Sequence, residues 1–490
     1  MNGRSGSKAP VSKDNNFLIA RIAQISLRVV GVLAVVVLAI VLASFAANLH
    51  DQPLNAEAKA LLALPANPYS PNENIYISMA GFDASAAQSV VTAGEARISE
   101  YNQGLDWSLA HPTELAAYAT KTDPDKLRFS GTGDLCSPPQ SSVWAETKKH
   151  RLDIAALMSM NQELFQRYLG LHRLAGYHET ARPSYLAPFY LVPPPMRCLF
   201  LLDIANRIQT GSFQQQRAAI EDLSQDLRIW MAMLQGDGTL LSKMVAAASL
   251  HRDLMVLADL VTDPSSDMML FEGKQTGVLK PFPIKDWNIG NAFGAEFRAT
   301  VPLYGQMTSA TWATSGTDEV RVTWWQQLGI AFQMHFFKIN ATENLNARQM
   351  VQLTKLAVSD PYKYSVAREE YRSWLRENES LYSPSVLFNP VGKILVSIAE
   401  PPYEDYPLRA YDVAAFQRLV YLAYQIRRQE IEPREIPTFL IQHPEWSTHP
   451  VNGTPFRWNP QSHELMVGPV GPNPVGRRFS VAVYQPPSSH

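Results

Sequence analysis

The apolar and polar residues divide the chain into one long uncharged stretch and a large region of mixed pattern. The uncharged stretch, 29–47, has the sequence VVGVLAVVVLAIVLASFAA. As a helix rising about 1.5 Å per residue, it covers the roughly 30 Å hydrocarbon layer of a bilayer. No other part of the sequence has such a stretch, so we predict one transmembrane helix at 29–47.

The residues before this helix indicate its orientation. Residues 1–28 hold five basic side chains and one acidic side chain. The positive-inside rule places this tail in the cytoplasm and the rest of the chain across the membrane. A cleaved signal peptide is the alternative, with Ser44-Phe45-Ala46 as the cleavage region, but signal peptides have shorter basic and apolar parts. We therefore expect a single-pass inner (plasma) membrane protein with a periplasmic C-terminal domain, or one in an equivalent compartment.

Beyond the membrane, apolar residues recur at helical intervals. From Lys149 to Ala175 they follow steps of three and four, which predicts one amphipathic helix. Helices are also predicted at 196–209, Phe213–Gln235 and Thr239–Val261, with short joints that contain glycine. Because such short joints force neighbouring helices to pack antiparallel, the middle of the chain is predicted to form solenoid-like hairpins. A last long helix is predicted at 411–428.

The pattern changes near both ends of this helical region. Ile75-Tyr76-Ile77 is predicted to form a short strand or a packed extended arm. Residues 433–490 are rich in Pro, Gly and His, and three short strands are predicted at 456–458, 463–467 and 479–484. A segment this small rarely stabilises itself, so we expect it to dock on the 411–428 helix.

Together these patterns predict a mainly α fold. The expected order is a cytoplasmic tail (1–28), the transmembrane helix (29–47), a linker and N-terminal arm (48–145), a helical domain (146–432) and a β-rich C-terminal cap (433–490).

Charge and cysteine content narrow the class of protein. The whole chain has 43 basic and 45 acidic residues; residues 1–50 hold five and one of these, which leaves a net charge of −6 for the remainder. An acidic domain argues against nucleic acid as a partner. The two cysteines, Cys136 and Cys198, are expected to form a disulfide in an oxidising compartment, with two buried thiols as the alternative.

Several short motifs occur together along the chain. They are Asn74-Ile75-Tyr76, 80–84 (AGFDA), Phe336-Phe337 with 340–344 (NATEN), 389–393 (NPVGK) and 453–458 (GTPFRW). Their order resembles that of uncharacterised single-pass proteobacterial membrane proteins with a large periplasmic domain. The resemblance implies a location in the cell envelope, and it implies no activity and no site.

Candidate catalytic residues are few. The sequence lacks the common nucleotide-binding, serine-hydrolase and zinc-protease motifs. Glu163 and Glu296 each lie among apolar residues, where a carboxylate with a raised pKa can act as a general acid. Arg167 and Arg298 are close to them in sequence, so structural ion pairs are the favoured interpretation. His172 and His178 are weaker candidates, and the end of a polar helix is the favoured interpretation for both.

The C-terminal segment contains the densest histidine group. His443, His449 and His463, with Glu445 and Glu464, lie on predicted loops that could converge. A zinc site needs three or four converging ligands, and loop composition alone is the favoured interpretation of the group. We therefore predict no metal and no cofactor.

Two functions remain open at this stage. The first is a membrane-tethered scaffold or assembly factor that binds an envelope protein, which requires a groove lined by apolar and aromatic residues. The second is a periplasmic hydrolase acting on a glycan or peptide, which requires carboxylates or histidines that converge in a cleft. The failed motif searches favour the first.

Overall fold

A computed structural model describes residues 13–110, 125–131, 142–184, 187, 190–271, 276–307, 334–378, 387–398, 403–472 and 479–483. Over these residues the protein is mainly helical, with an apolar helix near the N-terminus and a small three-stranded sheet near the C-terminus. The predicted mainly α fold with strands in its last part is therefore confirmed.

The helices of the first half, in chain order, are α1 Lys13–Ala47, α2 Ala56–Leu62, α3 Ile75–Ala80, α4 Val90–Ala110, α5 Val143–Lys149, α6 Arg151–Met160, α7 Gln162–Leu171, α8 Pro194–Thr210 and α9 Phe213–Gln235. Those of the second half are α10 Leu240–Thr262, α11 Thr276–Leu279, α12 Ala292–Met307, α13 Ile339–Val358, α14 Tyr364–Asn378, α15 Pro390–Ile398, α16 Tyr406–Arg428, α17 Ile436–Gln442 and α18 Pro444–Ser447. The strands are β1 Arg457–Asn459, β2 Glu464–Met466 and β3 Ser480–Ala482.

The N-terminal helix extends well beyond the predicted stretch, because α1 begins at Lys13 and not at Val29. Its part from Gln24 to Ala47 is long and apolar enough to cross a membrane, and it is the one such helix in the described part of the chain. Almost every side chain of this part is exposed along the helix. Burial within the protein therefore does not explain why it is apolar.

The predicted antiparallel hairpins form the centre of the body. Ser212 and Gln215 form a capping box that starts α9, and Gly236 ends it. α10 follows after Thr239, whose side chain accepts a hydrogen bond from the Ser242 backbone. α9 packs against α8 and α10, and α10 packs against α16. The facing sides of these helices are fully buried, so this packing supplies a large part of the apolar core.

The single helix predicted between Lys149 and Ala175 is wrong in detail. The structure divides the region into α5, α6 and α7, with breaks at His150 and Asn161. The Asn161 side chain donates to the Leu157 carbonyl at 2.9 Å, and it exchanges two hydrogen bonds of 2.8 Å with the backbone of Ser130. These side-chain bonds compete with helix continuation, which periodicity alone does not register.

The predicted strand or extended arm at 75–77 is also wrong, because these residues form α3. Asn74 caps this helix by accepting a hydrogen bond from the Tyr76 backbone. Gly81 follows it and packs directly on α4, where a Cβ at Gly81 would lie 1.8 Å from the Val90 carbonyl oxygen. The residues of α3 are buried in the same core as the central hairpins.

The C-terminal segment docks on the helical body, as predicted. β1, β2 and β3 form an antiparallel sheet in that order, and the sheet packs on α16 and α10. Phe479 lies against Phe416 of α16 and His251 of α10, with ring centroids 6.5 and 5.8 Å apart. The segment also contains α17 and α18, which its proline content obscured in the sequence.

Candidate functional site

The four predicted acid–base residues do not meet in one site. Glu163 lies on α7 with its side chain about half exposed, and its Oε1 accepts a hydrogen bond from Nε of Arg167 at 3.0 Å. The Arg167 guanidinium donates further bonds to the carbonyls of Phe82, Ala84 and Ser85. Glu163 therefore orients Arg167, and Arg167 holds the loop after α3 in place through these hydrogen bonds.

His172 belongs to a buried network centred on Asp226 of α9. Tyr168 donates its hydroxyl to Asp226 at 2.6 Å, and the Trp230 indole donates at 3.0 Å. His172 Nε2 lies 3.4 Å from the same carboxylate. Arg197 lies 3.8 Å from Asp226, and it also forms an ion pair with Asp253 of α10. The network joins α7, α8, α9 and α10.

The two carboxylates of this network share one guanidinium. Burial disfavours the charge of Asp226, but the hydrogen bond from His172 and the charge of Arg197 hold its pKa below the usual value. Burial raises the pKa of Asp253 well above its usual value, and Asp226 nearby adds to that rise. One Asp253 oxygen has no hydrogen-bond partner. Of these two carboxyl groups, Asp226 therefore keeps its negative charge more readily, and Asp253 is the more readily protonated.

His178 and Glu296 each interact electrostatically with Glu179. The Glu179 carboxylate accepts hydrogen bonds from Tyr177 at 2.9 Å and from Ser242. Burial lowers the pKa of His178, which Asp237 partly offsets, and burial raises the pKa of Glu296. Glu296 Oε1 accepts from the Leu240 backbone at 2.7 Å and thereby binds the first turn of α10.

The arginine expected beside Glu296 has a different acidic neighbour. Arg298 lies 3.8 Å from Asp237 and donates to the Leu61 carbonyl at 3.2 Å. Because Glu296 and Arg298 are two residues apart in α12, their side chains point about 200° apart around the helix. Sequence proximity therefore does not make them partners.

Lys243 completes this second network from α10. Its ammonium is fully buried and donates to the carbonyls of Met233, at 3.0 Å, and Gly236, at the end of α9. Burial lowers its pKa to about 8, although Glu179 and Asp237 oppose the shift. A cation at a helix C-terminus satisfies carbonyls that have no partner within the helix.

Both networks are closed to solvent at their centres. The side chains of Asp226, Asp253 and Lys243 have no exposed surface. A substrate could not reach these groups without unpacking the central hairpins. Their shifted pKa values therefore follow from burial within a structural network, and they do not by themselves indicate catalysis.

The three candidate metal-binding histidines have separate surroundings. His443 stacks on Trp446 with ring centroids 5.2 Å apart. His449 is fully buried, accepts from the Val451 backbone through Nδ1, and donates through Nε2 to Asp412 at 3.0 Å. His463 lies beside Trp458. Glu445 is next to His443, and Glu464 accepts from Ser462. Within the described residues, no three His, Cys, Asp or Glu side chains are grouped to hold a metal ion.

Of the two cysteines predicted to pair, Cys136 lies outside the described residues. Cys198 is buried on α8. The disulfide between them stays a prediction.

An apolar groove of about 470 Å³ lies where α17 and α18 meet β1. Ile441 of α17 stands at its edge with 78% of its surface exposed. Phe456 and Trp458 supply aromatic surface, and three prolines line the remaining walls: Pro437, Pro444 and Pro455. Its polar lining residues are Ser447, Thr448 and Arg457. The groove therefore has the character expected of a site for an apolar ligand.

Comparison of the chain with protein-family models, with curated proteins and with solved structures gives no match. The resemblance to single-pass envelope proteins therefore stays a prediction, and the choice of site rests on geometry.

Sequence reasoning missed the central members of both networks, although a signal was present. Asp226 follows Leu223 by three residues and precedes Trp230 by four, so it lies on the buried face of α9. Lys243 has the same relation to Leu240 and Ala247 on α10. A charged residue in phase with an apolar face must find a partner inside the protein, and that rule would have identified both.

Proposed function

We propose that the protein is a membrane-anchored interaction protein of the cell envelope. In this proposal α1 holds it in the inner membrane, the helical body lies in the periplasm, and a partner protein binds the groove beside β1. The groove is the observation that carries the proposal, since it offers an apolar surface that solvent reaches.

The rigidity of the groove supports a binding role. Pro437, Pro444 and Pro455 fix the backbone around it, so little conformational freedom is lost when a ligand binds. Its sheet wall is held by the docking of the sheet on α16. A preformed groove of this kind binds more tightly than a flexible one with the same contacts.

The lining defines the chemistry of the ligand. Ile441, Phe456 and Trp458 favour apolar and aromatic side chains, and the exposed Arg457 at the mouth favours an acidic neighbour. Grooves lined by aromatic residues recur as sites for extended and helical peptides. We therefore infer that the partner presents a short apolar segment next to an Asp or Glu.

The proposal that α1 anchors the protein in a membrane has support that is independent of the groove. The stretch Gln24–Ala47 is long and apolar enough to cross a membrane, and the basic residues before it favour a cytoplasmic N-terminus. Reporter fusions after Leu64 test this orientation, because a periplasmic body requires activity from a periplasmic reporter and none from a cytoplasmic one.

Peptide selection on the purified full chain in nanodiscs tests the groove. Peptides enriched on the native protein should be apolar with an acidic residue, and they should bind Trp458→Ala and Ile441→Asp at least tenfold more weakly. Leu152→Ala, at a position that is 88% exposed on α6, is the matched control and should bind as the native chain does.

The Ile441 side chain is mostly exposed to solvent, so Ile441→Asp should leave the fold intact, and weaker binding by this variant would not be a folding artefact. If the selected peptides bind both groove variants as tightly as the native protein, the groove is not the site. If only small apolar molecules bind there, the proposed protein partner is wrong.

A further inference from the structure

The chain just before the short helix α15 is hydrogen-bonded to the C-terminal end of α1. The Leu387 carbonyl accepts hydrogen bonds from Ser44 Oγ at 3.0 Å and from Asn48 Nδ2 at 2.6 Å. The Asn389 backbone donates to Asn48 Oδ1 at 2.8 Å. The residue immediately before α15 is therefore bound to the end of the anchor helix.

Aromatic stacking strengthens the same junction. The His335 ring stacks on Phe45 with centroids 3.9 Å apart, and its Nε2 donates to the Phe45 carbonyl at 3.0 Å. Phe336 meets Phe45 edge to face. Contacts at Ser44 and Asn48 thus hold the start of α15 at the level of the last turn of α1, and contacts at Phe45 hold the segment before α13 there.

That level corresponds to the bilayer surface if α1 crosses the membrane. The 24 residues from Gln24 to Ala47 form a helix about 36 Å long, which exceeds the roughly 30 Å hydrocarbon layer. The last turn therefore lies where the hydrocarbon meets the headgroups. Leu387 and Asn389 lie at the same depth because they are hydrogen-bonded to that turn.

α15 turns one face to the body. Gly392 and Val396 are buried, one turn apart, and α15 packs on α13. A Cβ at Gly392 would lie 2.0 Å from Thr342 Oγ1 of α13, so the approach of the two helices leaves no room for a side chain there.

The opposite face carries an apolar stripe. Val391, Ile394, Leu395 and Ile398 follow the i, i+3, i+4, i+7 spacing of one helix face. Ile394 is 42% exposed and Ile398 is 76% exposed, and the other two are half-buried. The body covers the Gly392 face, and the surfaces of Ile394 and Ile398 stay exposed among the described residues.

We propose that this stripe, Val391–Ile398, inserts into the surface of the bilayer that α1 crosses. The inference rests on the membrane anchoring proposed above. Its occupant is lipid because the stripe begins beside the membrane end of α1, so the nearest apolar phase is the hydrocarbon layer. Amphipathic helices bind membranes in this way, with their apolar face at the boundary between headgroups and acyl chains.

Fluorescence quenching in vesicles tests the proposal with the full chain. A genetically encoded environment-sensitive amino acid is placed at Ile394, at Val41 of α1 or at Leu152, and the protein is reconstituted into phosphatidylcholine–phosphatidylglycerol vesicles that carry brominated acyl chains. We expect strong quenching at Val41 and Ile394, at least threefold above that at Leu152. A label at Ile398 should repeat the result if the one at Ile394 disturbs the packing.

The labelled positions distinguish a failure of the stripe proposal from a failure of the anchor proposal. Quenching at Val41 with Ile394 and Ile398 no different from Leu152 would overturn the stripe while the anchor stands. No quenching at Val41 would overturn the anchor and the inference with it. With a label at Val391, Ile398→Asp should reduce quenching at least twofold, whereas Ser397→Asp, beside the stripe, should reduce it less. Equal effects would contradict a role for the stripe itself.

Discussion

The backbone N–H of Asn389 donates a hydrogen bond to Oδ1 of Asn48, at 2.8 Å, across 341 residues of chain. Asn48 is fully buried, although it directly follows an exposed apolar helix. Asn389 has a positive φ of 51°, which asparagine tolerates better than most residues. The junction between anchor and body is therefore a specific structure and not a flexible link.

Replacing Asn48 tests how much this junction contributes. Asn48→Ala removes one of the two donors to the Leu387 carbonyl, and it leaves the buried backbone N–H of Asn389 without its acceptor. We expect the free energy of unfolding in detergent to fall by about 1–3 kcal/mol. Asn72→Ala, at an exposed position, is the control. Equal unfolding midpoints for the two variants would show that the junction contributes little.

Asparagine substitutions distinguish the charge states of the two buried aspartates. Asp226→Asn removes the carboxylate that ionises more readily beside Arg197, so we expect a loss of about 3–5 kcal/mol in the free energy of unfolding. Asp253→Asn replaces the more readily protonated carboxyl with a neutral amide of similar shape, so we expect the smaller cost, about 1 kcal/mol. Denaturant unfolding at pH 7 measures both. A larger loss for Asp253→Asn would mean that Asp253 carries the charge.

Lys243 should make stability depend on alkaline pH. Its pKa is about 8 in the folded chain against an ordinary 10.5. Below pH 8 the ammonium is charged in both states and its burial is unfavourable. As the pH rises from 8 to 10.5 the folded state loses the proton first, so stability increases. The gain is complete above 10.5 and amounts to about 3 kcal/mol.

Lys243→Met has no titrating ammonium at this position. The difference in unfolding free energy between native protein and variant should therefore move in favour of the native protein as the pH rises from 7.5 to 10. The control is Lys355→Met, at an exposed position of α13. If Lys243→Met tracks the native protein in parallel over this range, the low pKa is wrong.

Asp412 should hold the C-terminal cap on α16. Its carboxylate accepts from His449 Nε2 and from the backbones of Val470 and Gly471, at 3.0, 2.8 and 3.1 Å. Asp412→Ala removes all three bonds, and we expect a loss of at least about 3 kcal/mol. Hydrogen exchange should accelerate at 447–471 before it does in α9. Asp153→Ala, whose side chain is 66% exposed, should leave both measurements near native values.

The sequence predicted best the elements whose boundaries depend on local residues. The helix Phe213–Gln235 was predicted to the residue, because Ser212 caps its start and Gly236 ends it. The helix α3 was missed because β-branched and aromatic residues resemble a strand, whereas Asn74 and the close contact of Gly81 with α4 favour the helix. Tertiary contact decided that element, and tertiary contact is not encoded in periodicity.

The candidate site, too, could be predicted only where local sequence determines the structure. The apolar residues of the C-terminal segment predicted that it would dock on the preceding helix, and Phe479 and the sheet do lie against α16, whereas Ile441 stays exposed. The groove could not be predicted, because it arises where α17 and α18, which the sequence analysis missed, meet β1. Likewise, Glu296 interacts electrostatically with Glu179, the neighbour of His178, although more than a hundred residues separate them in sequence. That relationship depends on tertiary packing, which periodicity does not register.

The central claim, that a partner segment occupies the groove of the membrane-anchored protein, is tested most directly by photo-crosslinking in intact cells. A benzophenone amino acid at Ile441 should give one adduct of defined mass, mapped to a single apolar segment of one envelope protein. The adduct should be lost with Trp458→Asp and absent when the probe is at Leu152. An adduct that survives Trp458→Asp, or the same adduct from Leu152, would contradict the claim.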